Sequence, residues 1–207
     1  MDDRNARPQR HQLLYETAAR EFAARGFDNA SLNAIIRACG LSKSSFYHFF
    51  SSKEALFDRV VEAAAAALAR DLAAPEAEVF AGPHFWDRVG VFLGEALLIA
   101  SRQAWYADFG RLFYLPDLAP SRSPALTRIL ANVADWTARV IAVGRTSGAI
   151  DDDLPASLQA ELVFAVLQAM DRWSLHHLDQ LDEAGQADLL TRQFDALRRL
   201  LEPKSGL

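Results

Sequence analysis

Ser31-Leu32-Asn33-Ala34-Ile35-Ile36-Arg37-Ala38-Cys39-Gly40-Leu41-Ser42-Lys43-Ser44-Ser45-Phe46-Tyr47-His48-Phe49-Phe50-Ser51-Ser52-Lys53 is the stretch on which the reading of the fold turns. Three serines stand where helix N-caps belong, each just ahead of a helix-forming run. Ser31 opens a short helix that Gly40 closes, because glycine takes the left-handed conformation without strain. Ser42 opens a second short helix over Lys43–Phe49, and Ser52 a third from Lys53. Leu41 and Phe46 are expected to anchor the second of these to a core. Lys43, Ser44, Ser45, Tyr47 and His48 then face outward, and all can form hydrogen bonds. Two short helices joined by a tight glycine turn make a helix-turn-helix pattern.

Working outward, a first helix is predicted over about Arg7–Arg25, with Leu14, Ala18 and Phe22 on one face. Gly26 ends it, and Phe27 folds back onto it. The helix from Lys53 continues through the alanines at 63–67 toward Pro75. A loop follows to Pro83. Further helices are predicted over 84–101, 104–114, 123–146, 155–180 and 185–202. Pro116 and Pro120 interrupt the middle, and the tail after Glu202 is expected to fray. Strict alternation of apolar and polar residues is rare, so the fold class is all-α.

The chain has 207 residues, of which 51% are hydrophobic, 24% charged and 10% aromatic. That is long enough for a substantial core and too apolar for wholesale disorder. A single cysteine, Cys39, excludes an intramolecular disulfide framework and a four-thiolate zinc site. Charges interrupt every apolar run well short of a membrane span, and the polar N-terminus lacks an apolar signal region, so a cytoplasmic location is expected. The net charge is −5, divided as +2 over residues 1–60 and −7 beyond. No nucleophile elbow, phosphate loop or paired-histidine zinc motif is present, which argues against an enzyme. His176 and His177 are adjacent on a helix and point about 100° apart, so they do not converge on one ion, and no metal or cofactor is expected.

Residues 14–57 resemble the DNA-binding region of the TetR family of transcriptional repressors. The resemblance lies in Leu14 to Phe27, with its Gly-aromatic end, in Ser31-Leu32-Asn33-Ala34-Ile35, and in Gly40 to Phe57, taken in this order and spacing. Ile36, Cys39, Ser44 and Phe49 depart from the residues more usual at their positions. The resemblance implies a bacterial regulator that binds a palindromic operator in double-stranded DNA as a homodimer and carries a small-molecule site. Tyr47 and Lys53 are then expected on phosphates, Ser31 beside the backbone, and Lys43, Ser44 and Ser45 at base edges. With Ser42 and His48 these make up the candidate DNA-contacting set. Plainer readings stand beside it: Tyr47 as a core aromatic, and Lys53, Ser44 and Ser45 as ordinary surface.

The expected architecture is a helix-turn-helix head over residues 1–52, joined by a linking helix to a ligand-binding and dimerisation domain over 53–207. Aromatic residues crowd the middle of the chain, and Arg102, Trp105, Tyr106, Phe109, Phe113, Trp136, Trp173 and His176 are candidates for an effector site. The same spacing also suits plain core. Leu158, Leu162, Val166 and Met170, with Leu190, Phe194, Leu197 and Leu201, are candidates for a four-helix dimer interface; the alternative is packing within one protomer. The functional expectation is a repressor released from DNA by a small hydrophobic or aromatic molecule, with no membrane partner. It would be cytoplasmic, on the nucleoid when bound. The alternatives are an activator, a corepressor-dependent regulator, or a helical ligand carrier with an inert head.

Overall fold

The computed structural model describes residues 3–102, 104–118, 122–177 and 180–203, with the side chains of 3–10, 97, 100–102, 104 and 183 outside the description. The described residues form α1 (Asp3–Asn29), α2 (Leu32–Ala38), α3 (Lys43–Phe49), α4 (Lys53–Asp71), α5 (Phe85–Arg102), α6 (Ala104–Leu112), α7 (Pro124–Thr146), α8 (Ala156–His177) and α9 (Glu183–Leu201). The all-α expectation holds.

The local signals act as the sequence suggests. Ser31, Ser42 and Ser52 each accept a hydrogen bond from the backbone N–H three residues on, at Ala34, Ser45 and Ala55. Gly40 has φ 63°. Its N–H donates to Arg37 O at 3.1 Å and that of Leu41 to Ile36 O at 3.0 Å, which is the paired bonding of a Schellman turn. A side chain at Gly40 would be strained by that φ, so the turn selects glycine.

Three boundaries differ from expectation. α1 starts at Asp3, ahead of Arg7. A one-turn 3-10 helix, Ala77–Phe80, lies in the expected loop and plugs Ala77 and Phe80 into a core. α6 stops at Leu112 because the chain tightens: Phe113 N–H turns to Gly110 O and Tyr114 N–H to Arg111 O.

The chain divides into two compact units, residues 1–72 with 99–129, and residues 73–98 with 130–207. In the first, α1 packs chiefly on α4 and α6. Leu14, Ala18 and Phe22 are buried, as the spacing requires. Phe22, Phe27 and Phe57 meet ring to ring at 5.1–5.7 Å. Phe46 and Phe50 hold α3 to this core, while Leu41 is half-buried. In the second unit Phe80, Phe85, Trp86, Val140, Ile141, Ile150, Val163, Leu197 and Leu201 form the core. Gln193 Nε2 ties α9 to the buried Ser174 of α8 at 3.0 Å.

Candidate nucleic-acid interface

Residues 29–53 contain no acid and carry Arg37, Lys43 and Lys53, in a chain whose net charge is −5. Acids begin again at Glu54. This stretch holds all of α2 and α3, so the helix-turn-helix presents a locally cationic face on an anionic protein.

α3 divides cleanly into two faces. Phe46 is 0% exposed, whereas Tyr47 is 54% and Phe49 57% exposed. Tyr47 is therefore no core aromatic; its ring stands edge-on to Phe46 at 5.4 Å with its outer part in solvent. Phe49 meets His11 at 5.8 Å and His48 at 5.2 Å, a small exposed aromatic group at the end of the helix. Ser42, Lys43, Ser44, Ser45 and His48 are all exposed.

The serine hydroxyls are ordered by their own bonds. Ser42 Oγ accepts the Ser45 N–H at 3.1 Å and donates to Ser45 Oγ at 2.8 Å. Ser44 Oγ lies 3.0 Å from Ser42 Oγ. Since Ser42 has only one proton and gives it to Ser45, Ser44 is the donor of that third bond. Ser45 Oγ is the acceptor of the bond from Ser42. Ser31 is half-buried. Its Oγ caps α2 and its N–H donates to Glu21 Oε1 at 3.0 Å.

Lys53 has a task inside the protein that its sequence position does not reveal. Its Nζ donates to Phe27 O at 3.0 Å and Asp28 O at 2.9 Å, and lies 5.5 Å from the Phe27 ring centroid. Two of its three N–H groups thus serve the end of α1. The same turn receives Asp117, whose Oδ1 and Oδ2 accept from the N–H groups of Phe27 and Asp28 at 3.0 and 2.7 Å. Burial pushes the Asp117 carboxyl up, but the bonds from Asp28, Phe27 and its own N–H, with Arg122 nearby, outweigh this and hold it below the usual range. Arg122 pairs with Asp28 at 2.9 Å and Glu54 at 3.3 Å, and its guanidinium sits 4.5 Å from the Phe27 centroid. Neither Asp117 nor Arg122, which share this turn with Lys53, carries a signal in local sequence.

A model of the bacterial regulatory proteins of the tetR family matches residues 14–60, which hold α2, α3 and the adjoining parts of α1 and α4. Over this head, the chain is similar to the TetR family. It is similar to the HTH-type transcriptional regulator UidR of Escherichia coli strain K12, at 28% identity over 76% of this chain and 77% of that one. It is also similar to the uncharacterized HTH-type transcriptional regulator YdgC of Bacillus subtilis strain 168, at 42% identity over 23% of this chain and 25% of that one. Among solved structures, a putative tetR family transcription regulator from Shewanella sp. PV-4 shares the fold with a TM-score of 0.66 at 19% identity, over 94% of this chain and 99% of that one. The likeness to bacterial transcriptional regulators is thus concentrated in residues 14–60, and the likeness to the solved structure extends the shared fold over the chain. No helix of the described residues is long and apolar enough to cross a membrane.

The residues expected at an effector site fall in both units. Trp105, Tyr106, Phe109 and Phe113 belong to the first, where Trp105 stacks on Tyr106 at 4.4 Å and Phe109 meets Phe113 edge-on at 5.0 Å. The Tyr106 hydroxyl donates to Asp71, and burial followed by that neighbour pushes it up to about 12. Trp136 belongs to the second unit. It packs on Phe80 and Phe92, donates to Pro75 O at 2.9 Å, and borders an apolar cavity of about 60 Å³. Trp173 is 46% exposed and stacks on His177 at 4.2 Å. His176 Nδ1 donates to Arg172 O at 2.7 Å and His177 Nδ1 to Trp173 O at 2.8 Å, so each ring is used on its own helix end. The Arg102 side chain lies outside the described residues.

The two stripes expected at a dimer interface are placed differently from each other. On α8, Leu158 is 43%, Leu162 47% and Trp173 46% exposed, with Ala165 and Ala169 exposed between them. Val166 and Met170 are half-buried beside this row. On α9 the apolar repeat turns inward. Leu197 and Leu201 are buried in the second unit's own core, Phe194 packs against it, and Leu190 is half-buried. Of the two stripes, the one left open in the protomer is therefore that of α8.

Proposed function

We propose that the protein is a repressor that binds a palindromic operator as a homodimer and is released by a small hydrophobic or aromatic molecule. The observation that carries this reading is α3 itself: a capped helix held by Phe46 and Phe50, with Lys43, Ser44, Ser45, Tyr47 and His48 exposed on an acid-free segment. A helix so held can enter a major groove, where side chains on its first turns reach base edges. Residues 1–52 would form the DNA-binding domain and 53–207 the ligand-binding and dimerisation domain. The α8 stripe supports a two-fold contact between copies, since such a contact uses one self-complementary patch twice. Two copies place two recognition helices in successive major grooves about 34–36 Å apart.

The effector would enter the second unit beside Trp136, where the lining is Phe80, Phe92, Val163, Leu167 and Leu197. A volume near 60 Å³ is too small for a drug-sized molecule, which needs about 300 Å³ or more. Binding would therefore select a more open conformation, and only a difference in effector affinity between the two states can shift DNA binding.

Two substitutions test the DNA contacts. Tyr47→Ala is expected to weaken operator binding about tenfold, by a similar factor for every sequence, because a phosphate contact carries no base information. Ser45→Ala is expected to change which base is preferred at one position in each half-site, by about fivefold to tenfold. Fluorescence anisotropy against a panel of single-base operator variants measures both. A change of preference with Tyr47→Ala, or none with Ser45→Ala, reverses the assignments.

A further inference from the structure

Gly26 breaks the α1 helix at φ 77°, ψ 171°. The break strips Phe27 and Asp28 of their helical hydrogen-bond partners, and both ends of these peptides are taken up from elsewhere in the chain. Asp117 receives the two N–H groups and Lys53 supplies donors to the two carbonyls. A Cβ at position 26 would stand 2.6 Å from Asp117 Oδ2, so only glycine lets the carboxylate come so close. The segment after Asp117 adds to the grip. Arg122 bridges Asp28 and Glu54, and Ser123 donates to Asp58 of α4. The fastened turn is the chain's route from α1 into α2, which begins at Leu32 with its cap at Ser31.

We propose that Asp117, some sixty-five residues beyond the helix-turn-helix, is a positioning residue for DNA binding: its carboxylate fixes the Gly26–Asp28 turn and so the tilt at which α2 and α3 are presented. This inference rests on the operator-binding homodimer proposed above. A single head can turn to meet a single half-site. Two heads joined in a dimer meet two half-sites only at one tilt. Loss of the Asp117 carboxylate therefore harms binding to the whole palindrome and spares binding to half of it.

The test uses full-length wild type and Asp117→Asn, with two duplex probes: the palindrome that wild type selects, and a duplex carrying one half of it. Asparagine keeps the shape, but its NH₂ faces one of the two backbone N–H groups, and the negative charge is gone. The expected result is a loss of about tenfold or more on the palindrome and less than about twofold on the half-site. Equal losses on both probes would mean that Asp117 acts on stability alone, and an unchanged palindrome affinity that it does not position the head; either overturns the proposal. Amide hydrogen exchange reads the turn without DNA. Protection lost at Phe27 and Asp28 in Asp117→Asn supports the inference, and protection unchanged there overturns it. A wild type that selects no palindrome refutes the operator reading instead, and the exchange result still decides whether Asp117 holds the turn.

Discussion

Phe27→Ala is expected to cost about 4 kcal/mol of stability, the range found when a fully buried phenylalanine is truncated. Phe27 is 1% exposed. Its ring meets Phe22 at 5.7 Å and Phe57 at 5.4 Å, so the change removes one corner of a three-ring contact that joins α1 to α4. It also removes the surface on which the Arg122 guanidinium and the Lys53 ammonium rest. Stabilities of ordinary domains are about 5–15 kcal/mol, so the loss takes a large share of what holds the first unit. Urea unfolding followed by far-ultraviolet circular dichroism measures it. A loss under about 1.5 kcal/mol would mean that the polar bonds from Asp117 and Lys53 hold the turn without the ring.

The second large effect is expected on association. Leu162→Glu places a charge in the middle of the open α8 row, between Leu158 and Ala165. Leu162 is 47% exposed in the protomer, so the change leaves the protomer's own core intact. In a two-fold contact the charge appears twice. Burying two unpaired carboxylates at about 2 kcal/mol each raises the dimer dissociation constant about a thousandfold. Sedimentation equilibrium at micromolar protein is expected to show a wild-type dimer and a Leu162→Glu monomer of unchanged helix content. A variant that stays dimeric would place the contact elsewhere on the molecule.

The contrast between α8 and α9 shows what a sequence discloses and what it withholds. Both helices carry an apolar repeat at helical spacing, and spacing alone does not say whether a stripe faces its own core or a partner. Leu197 and Leu201 prove to be core; Leu158 and Leu162 prove to be surface. The aromatic residues of the middle helices share this ambiguity, and Trp136 and Trp105 come to lie in different units. By contrast, the caps at Ser31, Ser42 and Ser52 and the turn at Gly40 depend on atoms within five residues of each other, so the head was legible residue by residue. Asp117 was not. Its partners lie about ninety positions away, and an acid beside a proline gives no sign of what it will cap.

The central claim is that α3 reads a two-fold symmetric DNA site. In-vitro selection of bound duplexes from a random pool tests it most directly, with wild type and a Tyr47→Ala, Lys43→Ala double variant run side by side. Both side chains are exposed, so the control keeps the fold; Lys53 is left in place because it holds the end of α1. Wild type is predicted to enrich a palindrome with half-sites about one helical turn apart, and the control to lose that enrichment. Binding should weaken steeply with salt, as phosphate contacts require. A wild-type pool that shows no enriched sequence at low salt would contradict the account.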